Sequence, residues 1–396
     1  MEVLRPGMDA RQRLLTALDH QEADRVPFAF GGPNTGIHVD AYRKLLRFWG
    51  VSDVPVEAED LVTQRARIHE DILQRMDVAV RKVDAEPFAT ARTETALEED
   101  AGYRYFVDDW GIEWAMPLRS GLYYDARRRP LQRAISSADV DKLSMPALPT
   151  EHEMDLLRRK AQAHRDAGFA VLVDGLGGGL FEHAWWIRGF NEFMVDMMAR
   201  RKLAERLLDK ILDYRLRYWE LILSRIGDLV DVAAESDDVA GQDRLILSPD
   251  LYRTLLKPRH RTIFQCIREN VPGKVFIHLH SCGAVRDLIP DLIDLGVDAL
   301  NPVQVSAKGM DTAALKRDFG RDISFWGGGV DTQRVLPTGT PRQVRDEVRR
   351  RIDDLAPGGG FVFATVHNIQ ADVPPENIDA MCKALQEHGV YTGSSA

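Results

Sequence analysis

Between residues 278 and 282 the chain reads His-Leu-His-Ser-Cys. Neutral imidazole and thiolate are both good zinc ligands, and a catalytic zinc takes three protein ligands while keeping one position open. His280 and Cys282 supply two of the three. The same pair also suits an inert role, as a packed strand-end histidine and a buried thiol. Further donors lie downstream: His367 offers an imidazole, and Gln304 can offer a carbonyl oxygen. His278 lies one rung deeper than His280 on the same strand face. A core role, or one orienting the ligating residues, is expected for it.

A second group of reactive residues is "ESDDVAGQ" at 235–242. Glu235, Asp237 and Asp238 can serve as acid/base groups, can bind a cationic or polyol substrate, or can form a solvated loop, with either aspartate capping the next segment. A third is "DGLGGGLFEHAWWIRG" at 174–189. It lacks the Gly-Lys-Ser/Thr end of a P-loop and the GxGxxG dinucleotide fingerprint. Gly177 and Gly178 are therefore read as glycines that let a ligand approach the backbone. Glu182 is a candidate for a supporting role.

These residues need a frame to bring them together. Apolar, β-branched runs at 25–30, 76–83, 169–175, 228–235, 274–281, 297–303, 323–328 and 361–367 read as strands, with helical segments between most of them. Two helix starts are marked by a cap residue before proline, Ser248-Pro249 and Thr340-Pro341, the second with Gln343 completing a capping box. Strands alternating with helices imply a parallel sheet, and eight of them imply a (β/α)₈ barrel. Helical segments precede its full course at the N-terminus. Residues 88–135 interrupt the pattern with period-two alternation and turn residues at Ala101-Gly102 and Asp108-Asp109. They read as an antiparallel insertion after the second strand. One domain over 1–396 is expected, with a frayed C-terminal "TGSSA".

In a barrel, functional residues sit at the C-terminal strand ends. Those positions hold Gly32, Asn34, Glu235, Asp237, Asp238, His280, Cys282, Asn301, Gln304, Trp326, His367 and Asn368. Closure of the barrel would bring His367, at the end of the last strand, to the rim that carries His280 and Cys282.

Composition narrows the function classes. Lys+Arg is 52 and Asp+Glu is 61, a formal net charge of −9, and no basic stripe is present, so nucleic acid is not an expected partner. Three scattered cysteines make no disulfide framework, so a reducing cytoplasm is expected. The charged first twenty residues lack an apolar signal core. No apolar run approaches the ~20 residues of a membrane span.

The segments at 10–28, 177–189, 235–242, 280–337 and 366–381 carry a family resemblance. The chain resembles the uroporphyrinogen decarboxylase superfamily, and within it the branch of zinc- and corrinoid-dependent methyltransferases. That resemblance implies a TIM barrel and zinc held by His280, Cys282 and a third ligand near the eighth strand. It also implies a corrinoid carried by a separate partner protein, a small thiol or methoxylated methyl donor or acceptor, and a homodimer. Two departures stand out. The decarboxylases carry an arginine-containing motif after the first strand, whereas "AFGGPNTGIH" at 29–38 has no arginine. The third zinc ligand of the methyltransferases is usually cysteine, whereas "TVHNIQ" offers His367. The alternatives are a decarboxylase-like lyase acting on a tetrapyrrole or other polycarboxylate, and a non-catalytic barrel that binds a corrinoid or tetrapyrrole.

Overall fold

Seven strands form one parallel sheet in the order Phe361–Val362, Ser324–Trp326, Ala299–Asn301, Phe276–His280, Val232–Ser236, Ala170–Asp174, Val80–Val83. The structure, a computed structural model, describes residues 7–32, 34–84 and 97–391. Residues 88–96 of the expected insertion and the tail 392–396 lie outside them. Most strand bodies are apolar on both faces because helices cover the outside and side chains fill the inside; Val80–Val83, with Arg81 and Lys82, is the exception. Every residue of Phe276–His280 is buried, as are the first four of Ala170–Asp174 and of Val232–Ser236.

The sheet is curled so that its two edges face each other across residues 27–30. Phe28 bridges in parallel to Val78 on one side and to Phe363 on the other. The amide of Ala29 donates to the Phe363 carbonyl at 2.8 Å, and the Ala79 amide donates to the Phe28 carbonyl at 2.8 Å. The expected first strand at 25–30 is thus corrected to isolated bridges. Pro27 has no N–H to give a ladder, so the segment meets both edges with few bonds. The result is a curled, TIM-like α/β fold.

Local signals place most of the helices. The Ser248 hydroxyl accepts from the Leu251 amide at 3.2 Å. Thr340 and Gln343 cap each other as a box at the start of Pro341–Leu355. Ala10–Leu18 and Val39–Phe48 make up the N-terminal helical segments. The insertion is a four-stranded antiparallel sheet, Glu98–Asp100, Tyr103–Val107, Glu113–Pro117 and Asp125–Arg128. Ala101 and Gly102 turn its first hairpin with φ of 44° and 87°, the left-handed pair that a tight hairpin needs. A small hairpin, Ala58–Asp60 with Arg65–Ala66, is a feature the sequence pattern does not announce. Among the described residues, no helix is long and apolar enough to cross a membrane.

Candidate metal centre and substrate cavity

The strand Phe276–His280 ends with its last histidine at the cavity inside the curled sheet, and the following turn brings Cys282 beside it. The Cys282 sulfur lies 3.4 Å from Nε2 of His280. His367 arrives from beyond the last strand, its ring centroid 5.7 Å from that of His280. One donor atom from each of His280, Cys282 and His367 falls within 4.8 Å of the others. The sequence-expected trio is therefore brought together.

Its orientation is fixed from behind. The Asn301 amide nitrogen donates to the Trp326 carbonyl at 2.8 Å, which turns its oxygen toward His280. Nδ1–H of His280 donates to that oxygen at 2.5 Å. This selects the tautomer whose Nε2 lone pair faces Cys282 and His367, the arrangement ligating histidines need. Burial lowers the His367 imidazole to about 3, assisted by His280 and Arg65. Burial also lowers His280 and raises the Cys282 thiol well above its usual value, the latter with help from Asp238 and Glu182. Neutral imidazoles and a thiol with a removable proton form a donor set that fits zinc, since a dication supplies the charge that burial otherwise excludes.

The trio opens onto a cavity of about 290 Å³. Asn34, Gly177, Gly178, Glu235, Asp238, His280 and His367 all line it, as expected from their strand-end positions. Gly178 has φ of +72°, and the ring of Trp186 lies where a Cβ at 178 would sit. The glycine thus lets an aromatic wall close on the loop. At Gly179 a side chain would run into the Ser236 carbonyl and the Asp237 carboxylate. His278 also faces the cavity, and its ring packs edge-on to Trp326 at 5.0 Å.

The carboxylates divide sharply. Asp238 is at the cavity, accepts from the Cys282 amide at 2.7 Å and stands 3.8 Å from Nε2 of His280. Burial pushes it up to about 6, reinforced by Asp237 and opposed by the Cys282 amide. Glu182 lies beside it, accepting from the Gly179 amide and the Ser236 hydroxyl. Burial, then Asp238 and Asp237, raise it to about 8. Glu235 is committed: its oxygens take one bond each, at 2.5 Å, from Arg215 and from the Trp219 indole.

Several expectations need correction. Asp237 does not face the cavity. It accepts from the amides of Phe181 and Glu182 at 3.0 Å and meets Nε2 of His260 at 2.9 Å, so it caps the helix Leu180–Arg188. Gln304 is spent on the Gly283 amide at 2.6 Å and holds the Cys282 turn. Asn368 accepts from the Gly36 amide at 2.7 Å. Trp326 is buried against His278, and Gly32 lies outside the cavity lining. Asn301 is buried, lies outside the cavity lining and spends its amide on His280 and the Trp326 carbonyl.

Pattern reading overlooked the opposite wall. Arg65 from the small hairpin and Lys82 from the strand Val80–Val83 enter the cavity among Glu59, Asp60, Asp84 and Asp174. Arg65 pairs with Glu59 at 3.5 Å, and Lys82 pairs with Glu59 and, at 2.7 Å, with Asp84. Arg215 gave one usable signal, a lone cation among inward-facing Ile211, Tyr214, Tyr218 and Ile222 of a helix. Trp114, from the inserted sheet, also lines the cavity.

Comparison with known proteins places this architecture. The family model described as uroporphyrinogen decarboxylase (URO-D) matches residues 105–388. A uroporphyrinogen decarboxylase from Aliivibrio salmonicida is 26% identical over 296 residues, 71% of this chain and 77% of the relative. One from Serratia proteamaculans is 27% identical over 297 residues, 72% of this chain and 78% of the relative. A solved methyltransferase from Methanosarcina mazei superposes with a TM-score of 0.63 at 18% identity, covering 96% of this chain and 99% of its own. At that identity the likeness speaks for the fold.

Proposed function

This chain belongs to the uroporphyrinogen decarboxylase (URO-D) family, and from that premise we propose that it is a zinc-dependent methyltransferase. It would move a methyl group between a small thiol or methoxylated substrate and a corrinoid. We read residues 1–396 as one barrel domain serving this reaction. The observation that carries the reading is the convergence of His280, Cys282 and His367 within 4.8 Å, with the outer nitrogen of His280 tied to Asn301. A zinc ion held there supplies Lewis acidity, lowering the pKa of a bound thiol or making an ether oxygen a better leaving group.

The chain's own residues do the rest. Asn301 keeps Nε2 of His280 aimed inward. Asp238, at the cavity wall beside His280, is the group assigned to take or return the substrate proton. Gly177 and Gly178 leave room for the substrate, and Trp186 forms part of the wall around it. The cavity is sized for a small molecule, so the corrinoid is assigned to a partner protein that presents it at the mouth.

The names of the curated relatives favour a decarboxylase acting on a porphyrinogen. Against that reading stand the arginine-free segment 29–38 and a cavity whose carboxylates outnumber its cations, a poor host for a polycarboxylate. The test is metal analysis of untagged protein beside Cys282→Ala. About one zinc per chain is expected, with at least ~1,000-fold weaker retention in the variant, since one of three ligands is lost. Metal below ~0.2 per chain, or equal retention in the variant, would overturn the zinc reading. Release of carbon dioxide from uroporphyrinogen would install the decarboxylase in its place.

A further inference from the structure

The cavity has a charge pattern that the metal trio does not explain. Seven carboxylates line it, Glu59, Asp60, Asp84, Asp174, Glu182, Glu235 and Asp238, against three cations, Arg65, Lys82 and Arg215. That is a formal excess of four negative charges. The cations are already engaged: Arg65 with Glu59, Lys82 with Glu59 and Asp84, Arg215 with Glu235. Asp174 lies among these charges. Burial raises it to about 6 although Lys82 and Arg65 both pull it down. A dication at the trio offsets only part of this.

Two further features point to an occupant. Trp114 and Trp186 line the same cavity as a T-shaped pair, centroids 5.8 Å apart at 77°. His278, 2% exposed and lining the cavity, has no hydrogen-bond partner at Nδ1. A buried polar atom without a partner costs ~1–3 kcal/mol unless something meets it, so a polar atom of a ligand is expected there. Among the described residues, the donor atoms that lie within 4.8 Å of one another in a group of three are those of the His280–Cys282–His367 trio, and the carboxylates around Asp174 are not among them. Spread-out negative charge with indole faces is the chemistry that recognises alkylated ammonium groups.

We propose that the small substrate of this enzyme carries an alkylammonium group, held between the Trp114–Trp186 pair and the Asp174 side of the cavity. The inference rests on the reading of this cavity as the substrate site.

The experiment is a calorimetric titration of the full-length protein with three ligands of one shape. Choline carries the cation, 3,3-dimethylbutan-1-ol is its neutral carbon isostere, and 3,3-dimethylbutanoate carries an anion. Choline is expected to bind at least ~10-fold more tightly than the alcohol, with the carboxylate weakest. Trp186→Leu is expected to reduce that preference, and Asp174→Asn to reduce choline affinity while the alcohol is unaffected. Equal binding of choline and the alcohol, or tighter binding of the carboxylate, would overturn the proposal. The ligand series needs no variant, so a misfolded mutant does not blunt it. Zinc content is read on the same samples: choline selectivity without zinc supports this inference while defeating the metal reading. Zinc without selectivity defeats this inference alone.

Discussion

Two neighbouring strand ends leave their polar groups in opposite states. Val232–Ser236 and Phe276–His280 pair in parallel, with Ser236 opposite His280. At the first end two carboxylates are consumed by the protein, while Asp238 alone stays turned to the metal side of the cavity. Glu235 is closed by Arg215 and Trp219, and Asp237 is closed by two amides and His260. At the second end, Asn301 takes one nitrogen of His280 and leaves the other facing Cys282 and His367. A row of polar residues around a barrel rim is thus a mixture of architecture and chemistry. Counting donors and acceptors separates them, because a buried polar group that is fully paired has nothing left for a ligand.

Variants of the two ends should fail in different ways. The largest effect is expected for Arg215→Met, which strands the buried Glu235 charge and should cost about 3–5 kcal/mol of stability. Urea unfolding measures it, and a loss below ~1 kcal/mol would mean that Glu235 finds another partner. Next is Asp237→Ala, which removes the cap of Leu180–Arg188 and the contact with His260. About 1.5–3 kcal/mol should be lost, because charge-assisted hydrogen bonds are broken. Zinc content should stay at the wild-type level, and its disappearance would move Asp237 to the chemical side. The smallest effect is expected for Asn301→Ala, about 1.4–2.8 kcal/mol, seen as ~10- to 100-fold weaker zinc in a chelator competition. Here stability should change less than in the Arg215 variant. Unchanged zinc affinity would show that Asn301 does not orient His280.

The insertion adds a second contrast. Its hairpin Tyr103–Val107 with Glu113–Pro117 was legible from alternation and from the Asp108-Asp109 turn. Its contribution to the cavity was not. Trp114 reads as one more inward-facing residue until the sheet is laid across the barrel mouth, where it meets Trp186. Arg65 and Lys82 were silent for a related reason. Each sits in a short element with no motif of its own, and the two elements meet only in the fold, where Glu59 of the small hairpin pairs with both Arg65 and Lys82.

Some properties were fixed by local chemistry alone. Thr340, Pro341 and Gln343 specify a helix start because the cap bonds span three residues. His278 and His280 share a strand face because side chains alternate. Apolar runs become buried parallel strands because both their faces need cover. What the tertiary structure decided was which polar atoms remain unpaired. Glu235 is answered from position 215, Asp237 from 260, His280 from 301, and Cys282 gains His367 only where the curled sheet brings its edges together across Phe28. Hydrogen bonding saturates at a fixed number of partners per atom. A residue's availability for chemistry therefore depends on neighbours far away in the chain, which local pattern does not encode.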